Sequence, residues 1–233
     1  MKLLSLDTSS RDASIAVLEN DDVLREYNFV FSDNLSAMLI PSLEFVLKSL
    51  GLGIAGIDVF AVGIGPGLFT GIRIGMATVK GLAFAEKKPV LGVTSLLALA
   101  SKFADTEKNV MALIDAKKEE VYLGGYHFQN GESAELFPPC RLKVSAALLL
   151  LAKFPDKIFI GSGAEKHADL LNEHFGGSRH RHRSSFLANE IGRIALKRLR
   201  RQTPAVDLRD LLPFYLRQPD AETNRTHAAG AVD

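Results

Sequence analysis

The sequence carries one cysteine, Cys140, in 233 residues. That excludes an intramolecular disulfide and any metal site built from several thiolates, and it fits a reducing compartment. Neither sign of charge is in excess: 28 Lys and Arg stand against 27 Asp and Glu, a formal net charge of +1. No overall field therefore draws nucleic acid or a membrane surface. Long apolar runs are missing too. The longest, Ala146 to Ala152, falls far short of the roughly 20 residues that span a bilayer. The opening Met1 to Asp7 is too short, and too soon interrupted by polar residues, for a secretory signal. Histidine is absent between Met1 and Tyr126. The expectation is a cytoplasmic protein with no membrane partner.

What is present is an ordinary globular balance, 47% hydrophobic and 24% charged, far from the composition of a disordered chain. Leu3 to Ser9 reads as a buried strand running into a polar turn, Ala13 to Leu18 as its return, and Val23 to Val30 as a third strand. Ser32 to Leu50 is helical in pattern, with Ser32 or Asp33 as N-cap and Gly51 as its stop. Two apolar rows run along it, Ile40-Leu43-Leu47-Leu50 and Leu35-Met38-Ser42-Phe45-Val46, more than one buried face requires.

Ile57 to Ile64 forms a strand, Gly65-Pro66-Gly67 a turn, and Leu68 to Ala85 a long helix of small residues. Gly71 and Gly75 lie four apart, with Thr78 or Val79 and Leu82 continuing the face, so a second helix could approach closely there. Helical glycines cost about 1 kcal/mol each, which asks for a packing reason. On this reading Gly75→Leu separates the pair while leaving the chain folded. Pro89 to Val93 is the next strand and Ser95 to Phe103 the next helix.

A new unit starts near Asp105. Val110 to Asp115 and Glu120 to Phe128 pair around a charged turn, repeating the opening pattern of a hairpin beside a carboxylate. Helix Ser145 to Lys153, strand Lys157 to Ile160, the Gly161-Ser162-Gly163-Ala164 turn, and helices Glu165 to Phe175 and Phe186 to Arg201 follow. The expected organisation is a lobe over 1–104, a second over 105–217, and a mobile tail over 218–233.

Several groups are candidates for chemistry. Asp7-Thr8-Ser9 could hold a phosphate and a metal-bound water, or form an ordinary Asx turn. The glycines from Gly63 to Gly71 suggest a phosphate loop, yet fit neither standard nucleotide fingerprint. His180 and His182 lie among arginines that would repel a cation, and Cys140 has no histidine near it in sequence. Gly176 to Arg201 holds eight Lys or Arg against one acid, Glu190. That stretch could meet RNA phosphates, or serve the end of a helix dipole.

Leu4-Ser5-Leu6-Asp7-Thr8-Ser9, the block Gly65-Pro66-Gly67-Leu68-Phe69-Thr70-Gly71-Ile72-Arg73-Ile74-Gly75, Ile114-Asp115-Ala116 with Glu120-Val121-Tyr122, and a late Tyr215-Leu216-Arg217 followed by Glu222 together resemble the TsaB (YeaZ) family. The resemblance implies an α/β, actin-like (ribonuclease H-like) ATPase fold of two related lobes, mixed sheets flanked by helices. It implies a non-catalytic subunit for threonylcarbamoyl transfer to the adenosine beside the tRNA anticodon, paired with a catalytic TsaD-like subunit. A TsaE-like ATPase joins them, a homodimer forms when the partner is absent, and tRNA is contacted through the complex.

The implied partner surface is Asn34, Leu35, Met38, Ser42, Phe45, Leu68, Thr70, Gly71, Arg73, Ile74, Gly75, Thr78 and Leu82. No cofactor is required, and weak Mg-ATP or ADP binding would fall to Asp7, Thr8, Ser9, Asp115, Gly161 and Gly163. The catalytic relative carries two metal-binding histidines four apart on its first long helix; here that stretch has none, so no catalytic or metal residue is assigned. Two positions depart from the family pattern: Asn34-Leu35 where His-Ser is usual, and Leu68 where serine is usual. The alternative is an actin-like kinase or ATPase using Asp7 and Asp115 around Mg-nucleotide.

Overall fold

The computed structural model describes residues 1–176, 183–201 and 207–216. Arg179, His180, His182, Arg217, Glu222 and the 218–233 tail lie outside the described residues. The first sheet combines β1 (Lys2–Asp7), β2 (Asp12–Glu19), β3 (Asp22–Val30), β4 (Val59–Gly65) and β5 (Val90–Thr94) in the order β3-β2-β1-β4-β5. The hairpin strands pair antiparallel, while β4 joins β1 and β5 in parallel. The second sheet repeats the arrangement with β6 (Asn109–Lys117), β7 (Glu120–Gln129), β8 (Glu132–Lys143) and β9 (Lys157–Ile160), ordered β8-β7-β6-β9.

Alternation along the strands divides the interior into layers. Leu4, Leu6, Phe60 and Val62 turn to one face of the first sheet and pack under α1 (Leu35–Ser49) and α2 (Phe69–Glu86). Leu3, Ala61 and Val93 turn to the other. There they share a single core with α3 (Ser95–Ser101), α7 (Ala188–Arg200) and the inner residues Val110, Ala112 and Tyr126 of the second sheet. The outer face of that sheet is covered by α4 (Val144–Leu151), α5 (Ser162–Lys166) and α6 (Ala168–Phe175).

Helix α7 falls within the stretch assigned to the second lobe by sequence, yet it closes the first sheet. A Cβ on Gly192 would lie 2.9 Å from Ser5 Oγ, so helix and sheet approach closely. Ser14 Oγ accepts the N–H groups of Leu187 (3.1 Å) and Ala188 (2.9 Å), capping the helix from β2, and Ser5 Oγ donates to the Ala188 carbonyl at 2.7 Å. The two bonds to Ser14 satisfy donors that a helix start leaves without partners.

Other boundaries differ in instructive ways. The first helix begins at Leu35 with Asn34 as N-cap and no side-chain cap, not at Ser32 or Asp33. Its Ile40 is exposed although its row-mates Leu43 and Leu47 are buried. The expected helix 165–175 is two pieces, α5 and α6, broken at His167, whose φ of −111° is not helical. Residues 132–143, where the sequence pattern gives no strand, form β8 despite Pro138 and Pro139. β8 is an edge strand, the place in a sheet where a missing N–H is tolerated.

Candidate functional site

The glycine-rich block is an internal contact. A Cβ on Gly67 would overlap the Ser9 carbonyl, one on Gly71 the Thr8 carbonyl, and one on Gly75 the Thr8 hydroxyl. The three lie at intervals of four, so the start of α2 lays a bare backbone line along the Thr8-Ser9 turn. Thr8 Oγ1 donates to the Gly71 carbonyl at 2.8 Å, and Leu68 N–H to Ser9 O at 2.6 Å. This corrects the reading of Gly71 and Gly75 as a surface for a second helix: their open side is filled by the chain's own first turn. Leu35 and Ser42 are buried as well, Leu35 in the core beneath α1. Gly75→Leu would therefore unfold this contact rather than test a pairing.

The outward side of the two helices is a different set. Among the expected interface residues Asn34, Thr70 and Arg73 are exposed, as are Phe45 (58%) and Leu68 (42%), while Met38, Ile74, Thr78 and Leu82 are half-buried. The sequence reading missed Ala77, Gly81, Phe84 and Ala85, all exposed on α2, with Phe84 77% open. A Cβ on Gly81 would meet nothing within 4 Å. Ala77, Gly81 and Ala85 form a second small-residue row at the same spacing as Gly71 and Gly75. That row was legible, but a sequence cannot say which of two such rows faces out.

A cleft of about 820 Å³ opens beside this face. Ser9, Ser10 and Arg11 line it from the β1–β2 turn, Leu68 and Phe69 from the start of α2, Asp115, Lys117 and Ser162 from the second sheet and α5, and Phe214, Tyr215 and Leu216 from the last described segment. Of the expected nucleotide residues, it brings together Ser9 and Asp115. Asp7 is fully buried, its carboxylate accepting Ser9 N–H (3.2 Å) and Ser9 Oγ–H (3.1 Å) in a local turn. Burial pushes its pKa from 3.8 up to about 6 against those bonds, with the Glu190 carboxylate adding to the rise. Thr8 is buried too. A Cβ on Gly163 would lie 3.1 Å from the backbone carbons of Leu113 and Ile114, and one on Gly161, at φ +104°, would overlap the Leu113 carbonyl.

Asp115 does face the cleft, but Lys117 Nζ and Lys166 Nζ each hold it at 3.1 Å. Burial opposes its ionisation, and the hydrogen bonds from Lys166 and Lys117 outweigh it, keeping the carboxyl below the usual range. The pair Asp7 and Asp115 thus offers a Mg-nucleotide one sealed acid and one neutralised acid.

The other candidates are structural. Cys140 is half-buried on β8, and burial raises its thiol pKa, so it is not an activated nucleophile. Lys197 bonds the Gly131 carbonyl, Arg198 the Gly92 carbonyl, Arg200 pairs with Asp21 and Arg201 with Glu132. The cations at the end of α7 are engaged within the chain. Among the described residues no three His, Cys, Asp or Glu gather as a metal site, and no helix is long and apolar enough to cross a membrane.

Comparison with known proteins follows the same lines. A family model described as "TsaD: tRNA N6-adenosine threonylcarbamoyltransferase" matches residues 30–225. The tRNA threonylcarbamoyladenosine biosynthesis protein TsaB of Bacillus subtilis is 28% identical over 230 residues, covering 95% of this chain and 96% of that one. The structure of YeaZ from Pseudomonas aeruginosa superposes with a TM-score of 0.74 at 30% identity, over 92% of this chain and 99% of that one. The activator of 2-hydroxyisocaproyl-CoA dehydratase from Clostridium difficile, with bound ADPNP, is 10% identical with a TM-score of 0.50, covering 89% of this chain and 100% of that one, a likeness of fold alone. The architecture is that of the actin-like ATPase fold.

Proposed function

The chain belongs to the TsaB (YeaZ) family, and on that premise we propose that it acts in tRNA threonylcarbamoyladenosine biosynthesis as a non-catalytic subunit. It does so by pairing with a catalytic TsaD-like subunit. The observation that carries this reading is the outward side of α2, where Phe84 stands exposed beside the small row Ala77, Gly81 and Ala85, while Phe45 is exposed on α1 next to Tyr27 of β3. An exposed aromatic beside a row that lets a helix backbone come close is the making of a helix–helix interface. The same face serves a second copy of the chain when the partner is missing, and a TsaE-like ATPase and tRNA meet the chain through the assembled complex.

Support for a non-catalytic role comes from what the cleft presents. Asp7 is sealed and Asp115 is spent on two lysines, and the first helices carry no histidine. Nucleotide binding in the cleft is no part of this reading, and the setting is the cytoplasm. The test is reconstitution of threonylcarbamoyl transfer to tRNA with the TsaD-like subunit of the same organism. Leaving this chain out should abolish product, and this chain without TsaD should give none. Transfer by this chain alone would overturn the reading.

A further inference from the structure

Arg73 is the one cation on the outward row of α2, and it is held by two aromatic residues. Its Nε donates to Tyr215 Oη at 3.0 Å, and its guanidinium lies 3.8 Å over the Phe69 ring. Phe69 and Tyr215 in turn stack at 4.9 Å between centroids, 26° between planes. Tyr215 is fixed from behind: the neighbouring Phe214 N–H donates to Ile64 O at 2.8 Å, and Leu211 is buried in the core under α2. Arg73 remains exposed, and among the described residues no carboxylate pairs with it.

An arginine on a surface normally loses rotamer entropy when it makes an ion pair, which is why exposed pairs contribute little. Here that entropy is already lost in the free chain. With Nε bound to Tyr215, the two terminal nitrogens remain to donate as a planar fork, the geometry that matches a carboxylate. We propose that Arg73, positioned by Phe69 and Tyr215, receives an acidic side chain of the catalytic TsaD-like subunit at the edge of the α2 interface.

This rests on the heterodimer reading and adds the chemistry of one contact to it. A carboxylate fits the surroundings better than an RNA phosphate does. The exposed residues that follow on the row, Ala77, Gly81 and Phe84, are apolar, and Lys80 is committed to the Leu211 carbonyl at 3.1 Å. Nucleic-acid surfaces gather several cations, and this face has a single prepared one.

The test is the affinity of the full chain for the TsaD-like subunit as a function of salt, for wild type, Arg73→Lys, Tyr215→Phe and the double variant, with melting temperatures measured alongside. Arg73→Lys keeps the charge and loses the fork, so affinity should fall about tenfold while the salt dependence is retained. Tyr215→Phe should cost about threefold, and nothing further once Arg73 is Lys, because the two act through one group. Wild-type affinity in Arg73→Lys would overturn the contact while leaving the heterodimer standing. Additive losses would show Tyr215 to be only structural and overturn its positioning role. Unchanged pairing with weakened tRNA binding would assign Arg73 to phosphate instead. Absence of any wild-type complex would bring down both the heterodimer and this contact.

Discussion

Thr8 fills the space in front of Gly75, its hydroxyl standing where a Cβ would be while it donates to the Gly71 carbonyl at 2.8 Å. Two glycines of one helix therefore have opposite roles, since Gly81, six residues on, opens onto empty space. Gly75→Ala should destabilise the chain by about 1–3 kcal/mol, the usual cost of overpacking. Gly81→Ala should stabilise it by about 1 kcal/mol through helix propensity alone. Urea unfolding of the two variants checks the contrast, and equal effects would mean that the contact with Thr8 is not as described.

Asp7 ties stability to pH. Its folded pKa is raised from 3.8 to about 6, so the native state holds the proton more tightly than the unfolded chain. Stability from this group is full below about pH 4 and is lost as pH rises through 6, a loss of about 3 kcal/mol by the plateau. Asp7→Asn keeps an acceptor for the Ser9 N–H and removes the titration. Its stability relative to wild type should rise between pH 4 and 6 and then level off. A pH-independent difference would show that Asp7 keeps an ordinary pKa.

The β6–β7 turn carries a removable local cost. Lys117, Lys118 and Glu119 all adopt positive φ, +63°, +51° and +56°, and Glu119 is exposed. Left-handed backbone costs a non-glycine residue about 1–2 kcal/mol, part of which a glycine gives back as chain entropy. Glu119→Gly should therefore raise stability by about 0.5–1 kcal/mol. A lower unfolding midpoint in the variant would indicate that the Glu119 side chain has a contact of more value than the strain.

Much of this was legible in the chain itself. β1, β2, β4, β6 and β9 are apolar runs bounded by turn residues, and the repeat of a hairpin beside a carboxylate anticipated two sheets of related order. β8 was not legible because Pro138-Pro139 argues against a strand unless its edge position is known. The site was read less well, for a physical reason. Spacing shows that Gly71 and Gly75 share a side of α2, and equally that Ala77, Gly81 and Ala85 do, but only the docked Thr8-Ser9 turn decides which side is buried. Asp7 had the same ambiguity, since an acid at a strand end reads alike whether it enters a cleft or closes a turn. Tyr215 was noticed only by resemblance, and its stacking on Phe69 joins residues too far apart for periodicity to connect.

The central claim is that the outward face of α2 pairs this chain with the TsaD-like subunit. It is tested most directly by light scattering of the two chains mixed, wild type against Gly81→Leu, with thermal unfolding of each alone. The account predicts a 1:1 complex for wild type, and for Gly81→Leu a melting temperature no lower than that of wild type with affinity reduced at least about tenfold, since a Cβ there meets nothing within 4 Å in the monomer and a leucine blocks close helix approach. A folded Gly81→Leu chain that pairs as tightly as wild type would contradict it.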